Sequence, residues 1–462
     1  MACVKMEIFT RLPGCTDSTS SLGYCMSDSS VDSLENLDAM QSKDSDQISV
    51  MKWTSRDTGW MLNLFGTAIG AGVLYLPITA GAGGIWPLII MAILSGPMVW
   101  LAHRNLVRFC LSSSNPGGNI TSTVREHFGE RTGHLLTLAY FLSVYPILLL
   151  YAIAITNVVI SYIEYPLQMV PPDRSVLSLG LVSLLMLAMH TSEIWMLRAV
   201  KLMVYPLVFT LIAVSFYLIP QWNGAVFDQP VNIKNLLLTL FIATPLLVFS
   251  FNHSPACSAF AHAYQGSLGN SSICYKKTDQ VLKRNVLLLL VVILFFVFSC
   301  VLSLTPQELF QAREENLPVL SVLAYRSNNM AFSIIAPIIA FLAIASSFFG
   351  VYLGALEGLQ GFITQQWVRR KIQRPLPHGA VHRGSVLFIL LTCWTAGYAN
   401  WDIIGMVEML VVPVLATILY LMPIYAFYRV RSLKLFRNPL LDMIIFLVGL
   451  IAITGFLVGK LI

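Results

Sequence analysis

Charge is what this chain has least of. Only 11% of its 462 residues are Asp, Glu, Lys or Arg, against 56% hydrophobic, and a soluble domain carries about 25% charged residues to face water. Length alone would suggest two or three soluble domains, and so little charge excludes them. Disulfide and metal frameworks are missing as well. The eight cysteines form no C-x-x-C and have no neighbouring His pair, so Cys110, Cys257, Cys274, Cys300 and Cys393 read as small hydrophobes. H-E-x-x-H, G-x-S-x-G, a P-loop and paired carboxylates are all absent, which argues against an enzyme; no metal or cofactor site is expected. The formal net charge of +6 does not indicate nucleic acid, because the basic residues sit in short segments between apolar runs.

Residues 1–50 lack any sustained apolar run. Their ten serines, eight acidic and three basic residues describe a disordered polar tail, without the apolar centre of a signal peptide. At Met51 the sequence changes to MKWTSRDTGW, an ordinary opening for a membrane protein, and residues 51–462 are expected to form one transmembrane domain.

Beyond Met51 the chain is dominated by apolar runs long enough to cross a bilayer. They lie near 58–80, 85–107, 134–162, 175–190, 195–219, 235–262, 286–304, 331–366, 384–399, 403–428 and 439–461, eleven spans in all. With the N-terminus in the cytoplasm, the inner loops hold 19 Lys and Arg and the outer loops only four: Arg174, Lys234, Arg313 and Arg326. The positive-inside rule thus places the C-terminus outside.

Two spans are interrupted where a helix should be continuous. The first reads GTAIGAG from Gly66 to Gly72, and three glycines in seven residues let backbone approach a ligand. Close helix packing through the Gly66–Gly70 pair is the plainer reading. The sixth reads FSFNHSP from Phe249 to Pro255, where Pro255 withholds a hydrogen bond from the Phe251 carbonyl. Irregular backbone survives at membrane depth only where protein or a cavity receives it. The two breaks occupy equivalent places in two five-span units of opposite orientation. That pattern predicts a 5+5 inverted repeat (about 58–219 and 235–428, with 439–461 as an extra helix) around a midplane site.

Helix ends at such breaks suit a zwitterion. Free N–H groups where helix one resumes, at Ala71 and Gly72, fit a carboxylate; free carbonyls where the first halves stop fit an ammonium. The candidate substrate-binding residues are therefore Thr67, Ala68, Gly70, Ala71 and Gly72 with Ser250, Asn252, His253 and Ser254, the last three recognising a small hydroxyl-bearing side chain. Tyr145 and Tyr151 in span three are further cavity candidates. Ser346 and Ser347 in span eight pass near the first break, where paired hydroxyls suit a sodium ion. Lys201 in span five reads either as a snorkelling lysine or as a buried amine that exchanges a proton beside those serines. Glu357 and Glu408 are intramembrane acids and functional candidates by default.

The segments GTAIGAGVLYLPI, FSFNHSPACSAF and KLMVYP resemble the bacterial hydroxy/aromatic amino acid permease family, and within it the serine/threonine permeases. The resemblance covers about residues 52–461. It implies an all-α membrane protein of the leucine-transporter type, in the amino acid–polyamine–organocation superfamily, sited in a bacterial inner membrane. It also implies proton-driven import of a small amino acid, and carries over the two motifs together with Lys201, Ser346 and Ser347. Sodium coupling and a transporter-like nutrient sensor are the competing expectations.

Overall fold

The computed structural model describes residues 51–81, 84–115, 118–164, 167–190, 192–228, 233–269, 272–314, 319–320, 322–323, 330–370, 376–401 and 411–459. The polar tail, Arg326 and Glu408 lie outside the described residues. Within them, all regular structure is helical. In chain order the helices are α1 (Ser55–Ala68), α2 (Ala71–Gly81), α3 (Ile85–Cys110), α4 (Ile120–Glu164), α5 (Arg174–Met189), α6 (Glu193–Leu218), α7 (Ile233–Ser250) and α8 (Ser254–Leu268). They continue with α9 (Ser272–Ser303), α10 (Pro306–Glu314), α11 (Met330–Arg369), α12 (His378–Ala399), α13 (Val411–Arg429) and α14 (Pro439–Gly459).

Eight of these are each long and apolar enough to cross a membrane. The bent pairs α1–α2 and α7–α8 bring the total among the described residues to ten. The sequence expectation was eleven. The difference is α5, whose 16 residues reach about 24 Å, short of a hydrocarbon core about 30 Å thick. α4 begins earlier than the apolar run from 134 suggests. Its first turns carry Arg125 and Glu126, and the helix bends at Gly129, where φ is 80°, a left-handed conformation that glycine adopts without strain.

Large apolar side chains face outward as well as inward. Leu184, Leu202, Phe209 and Leu287 are exposed on the outside of the bundle, which suits lipid and not water. Inside, α4 and α11 lie along one another; α11 also packs on α1, α6 and α8, while α2 packs on α7 and α8 on α3. Both broken pairs are thus enclosed by continuous helices. The five described cysteines are buried free thiols.

α1 starts on a capping box. The Asp57 carboxylate accepts from the Thr54 N–H at 2.7 Å, and the Thr54 hydroxyl accepts from the Asp57 N–H at 3.3 Å. The same end of the bundle is tied shut by charge. Arg56 forms a two-point pair with Glu193 of α6 (2.7 and 3.1 Å) and donates to the Ala263 carbonyl of α8 at 2.9 Å. Asp57 pairs with Lys277 of α9 at 2.8 Å, both side chains almost fully buried, and accepts from the Tyr264 hydroxyl of α8. Beneath these pairs Trp60 packs on Phe260, ring centroids 5.9 Å apart.

Candidate functional site

The helix of α1 runs out at Ile69, whose ψ of 80° is not helical. Gly70 N–H turns back to the Ala68 carbonyl (3.0 Å) instead of reaching Gly66. The Gly66 carbonyl so released accepts from the Ser347 hydroxyl of α11 at 2.8 Å. Thr67 satisfies its own hydroxyl on the Asn63 carbonyl at 2.6 Å. Helix resumes at Ala71, bent by 54° from α1.

The second break has the same logic and different chemistry. Pro255 stands in the first turn of α8, where a missing N–H costs nothing. The Phe251 carbonyl, which Pro255 cannot serve, accepts instead from His253 Nδ1 at 3.1 Å. The Asn252 side-chain oxygen accepts from Ser254 N–H at 3.0 Å and opens α8. α7 and α8 meet at 41°.

A cavity joins the two breaks. It is lined by Thr67, Ala68, Gly70 and Gly72 from the first, by Phe249 and Asn252 from the second, by Ile147 and Tyr151 of α4, and by Val351 of α11. The volume open to a water-sized sphere is about 10 Å³, room for about one water. Two helices end at its wall and two begin there, so partial negative and partial positive charge face one space. The Tyr151 and Ser347 hydroxyls both border the space that a β-carbon on Gly70 would enter. Ser250 Oγ, buried beside Gly72, has no hydrogen-bond partner among the described residues. Asn63, one turn before Thr67 on α1, is fully buried with neither end of its amide engaged. Buried polar groups are normally paired, so both are available to a solute or to water.

Not every expected residue faces this cavity. Tyr145 does not. It stacks between Phe141 and Phe388, centroids 4.8 and 5.8 Å away, and therefore turns toward α12. Six residues along a helix amount to about 240° of rotation, so Tyr145 and Tyr151 point to different sides. His253 also turns away. Its ring stacks on His103 of α3 at 3.5 Å, nearly parallel, because consecutive residues at a helix start diverge in direction and only Asn252 lines the cavity. His103 Nε2 accepts from His253 N–H (3.1 Å), so its proton is on Nδ1, facing the Val99 carbonyl at 2.8 Å. His253 Nε2 faces the Asn285 amide of α9 at 3.3 Å. Both imidazoles are neutral in this arrangement. Ser254 is buried at the start of α8; Ala71 opens α2.

Lys201 is placed at the start of α1 and not beside the serine pair. Its ammonium donates to the Ser55 carbonyl (2.9 Å) and hydroxyl (2.8 Å), at the start of α1. Ser346, by contrast, lies against Gly66 and bonds its own helix at the Ala343 carbonyl (3.1 Å). Eleven helical residues, about 16 Å, separate Ser55 from Gly66, and the lysine stem points away from the serine pair. Lys201→Arg should therefore transport at near wild-type rate, since a guanidinium also donates to Ser55. An uptake assay that found it inactive would return Lys201 to the mechanism.

Ile147, Phe249, Val351, Asn63 and His103 were not singled out by sequence. The apolar liners have no local signature. His103 and Asn63 were polar groups within apolar runs, and that was the signal available.

Comparison with known proteins agrees with this architecture. The profile of the tryptophan/tyrosine permease family matches residues 57–444. The serine transporter SdaC of Escherichia coli strain K12 is 44% identical over 409 residues, 87% of this chain and 94% of that protein. The threonine/serine transporter TdcC of Yersinia enterocolitica is 38% identical over 426 residues, 88% and 96% of the two chains. Among solved structures, a variant of the Eremococcus coleocola manganese transporter superposes with a TM-score of 0.56 at 13% identity, over 88% of this chain and 86% of that one. A substrate-bound, outward-open Na+-coupled sialic acid symporter gives 0.53 at 12% identity, over 87% and 88%. At such low identity these two structures speak to the fold alone, and that fold is of the leucine-transporter type.

Proposed function

The chain belongs to the tryptophan/tyrosine permease family, and from that premise we propose that it is a secondary transporter importing a small hydroxy amino acid, of serine or threonine type, together with protons. The observation that carries this reading is the small cavity shared by two helix breaks, with Thr67, Ala68, Gly70, Gly72, Asn252 and Tyr151 in its wall. The start of α2, at Ala71 and Gly72, would receive the carboxylate, and the ends of α1 and α7 the ammonium. Ser250, Asn252 and the Tyr151 hydroxyl would meet the substrate side chain; His253 and Ser254 would act by holding Asn252 in place. The ties of Arg56 and Asp57 would close the cytoplasmic side below the solute. The excess of Lys and Arg in alternate loops supports an inner-membrane protein with its N-terminus in the cytoplasm and its C-terminus in the periplasm.

Sodium coupling is the second reading, favoured by the oxygen cluster of Ser346, Ser347 and the Gly66 carbonyl. Uptake into proteoliposomes under an imposed proton or sodium gradient separates the two. The first reading is expected to show accumulation on a pH gradient without sodium. For the substrate, serine should bind tighter than alanine by about 1–3 kcal/mol, because the smaller solute leaves buried hydroxyl partners unpaired. Competition binding measures this, and equal affinity would remove the hydroxyl from recognition.

A further inference from the structure

α11 carries an acid, Glu357, that pairs with no cation among the described residues. Glu357 Oε1 accepts from the Ser258 hydroxyl of α8 at 2.5 Å and from the backbone N–H of Ile120, the first residue of α4, at 3.1 Å. The same N–H also reaches Ser258 Oγ at 2.9 Å. Three elements thus meet on one carboxyl group, about 15 Å along α11 from Ser347 and one turn into α8 from the second break. Glu357 belongs to none of the ion pairs among the described residues.

The titratable groups that do face it are a thiol from α3 (Cys110) and a phenol from α4 (Tyr140); a second thiol, Cys257 of α8, lies beside those two. From α12, His382 reaches Gln360, and from the end of α5, His190 reaches Tyr352. α1 and α6 meet α11 nearer Ser346, through Gly66 and Val204. The glutamate side chain is mostly buried between the starts of α4 and α8.

We propose that Glu357 is a proton-binding site, and that its protonation loosens the tie between α8, α11 and the start of α4. The inference rests on the proton-coupled reading above and deepens it. While ionised, the carboxylate accepts two charge-assisted bonds, which are about twice as strong as neutral ones. A proton from water forms an O–H bond on the carboxyl group, removes the charge and weakens both bonds. α8 is then free to shift relative to α11, carrying Asn252 with it. Loss of the proton to the opposite side restores the tie.

The experiment uses the full chain in proteoliposomes, with serine as the solute. Wild type is expected to accumulate serine on a pH gradient. Glu357→Gln keeps the shape of the protonated side chain and holds no transferable proton. It should retain serine counterflow exchange while its accumulation falls to the level seen without a gradient. Glu357→Gln accumulating at the wild-type ratio would overturn this inference and leave the proton-coupled reading standing. A wild type indifferent to the pH gradient would overturn both. If Glu357→Gln does not fold, Ser258→Ala supplies the test. Removing a donor to the ionised form should move the pH midpoint of accumulation upward, and an unchanged midpoint would overturn the proposal.

Discussion

Gly70→Val is expected to reach the membrane at normal abundance and to bind no measurable serine. A β-carbon on Gly70 would overlap the Tyr151 hydroxyl and stand 3.0 Å from its ring carbon and 3.1 Å from Ser347 Oγ. Those atoms line or support the cavity, so the new methyl groups occupy the solute's space. β-Branching adds a further penalty at a bend that already departs from helical dihedrals. Gly72→Val should behave alike for a stiffer reason. Its β-carbon would stand 3.1 Å from Ser250 Oγ and 3.3 Å from the Ser250 α-carbon, and backbone yields less than a side-chain tip. Equilibrium binding in detergent, beside a melting curve for the same sample, is the measurement. Wild-type affinity in a folded Gly70→Val protein would move the site elsewhere.

The second large effect is expected at the sealed end of the bundle. Lys277→Met should destabilise the purified protein by about 3–5 kcal/mol, because it leaves the Asp57 carboxylate buried without its cation. Lys277→Met combined with Asp57→Leu should recover most of that loss, since replacing both ions with apolar groups removes two desolvation penalties. A residual cost of about 0.5–1.5 kcal/mol is expected from the Thr54 N–H that the Asp57 carboxylate no longer receives. A double-mutant cycle read by denaturation tests this. Purely additive single costs would show that the pair is not energetically coupled, despite its 2.8 Å separation.

Glycine and proline are what made the architecture legible. Gly66, Gly70, Gly72 and Pro255 break helical hydrogen bonding whatever surrounds them, so the two interruptions could be placed from sequence. Direction was harder to read. Asn252, His253 and Ser254 are adjacent in sequence, yet the dihedrals of the break send His253 toward α3 and leave Asn252 at the cavity. Tyr145 and Tyr151 look equivalent in composition and differ by most of a helical turn. The His103–His253 stack joins positions 150 residues apart, beyond the reach of any local pattern. Lys201 shows a different limit: a long flexible stem can serve either end of its neighbourhood, and only the position of Ser55 decides which. The start of α4 was hidden because Arg125 and Glu126 interrupt an apolar window.

The locking of the two breaks has a mechanical consequence. The first is held from outside by α11, through Ser347 on the Gly66 carbonyl. The second is held by α3 and α9, through His103 and Asn285 on His253. The cavity therefore straddles a seam, with one wall fastened to α11, the other to α3 and α9, and the α8–α11 contact at Glu357 as the tie across it. A solute that touches Gly70 and Asn252 together is a staple across that seam. On the proposed reading, the two walls would move together with it in place, and only the Glu357 tie would link them once it leaves.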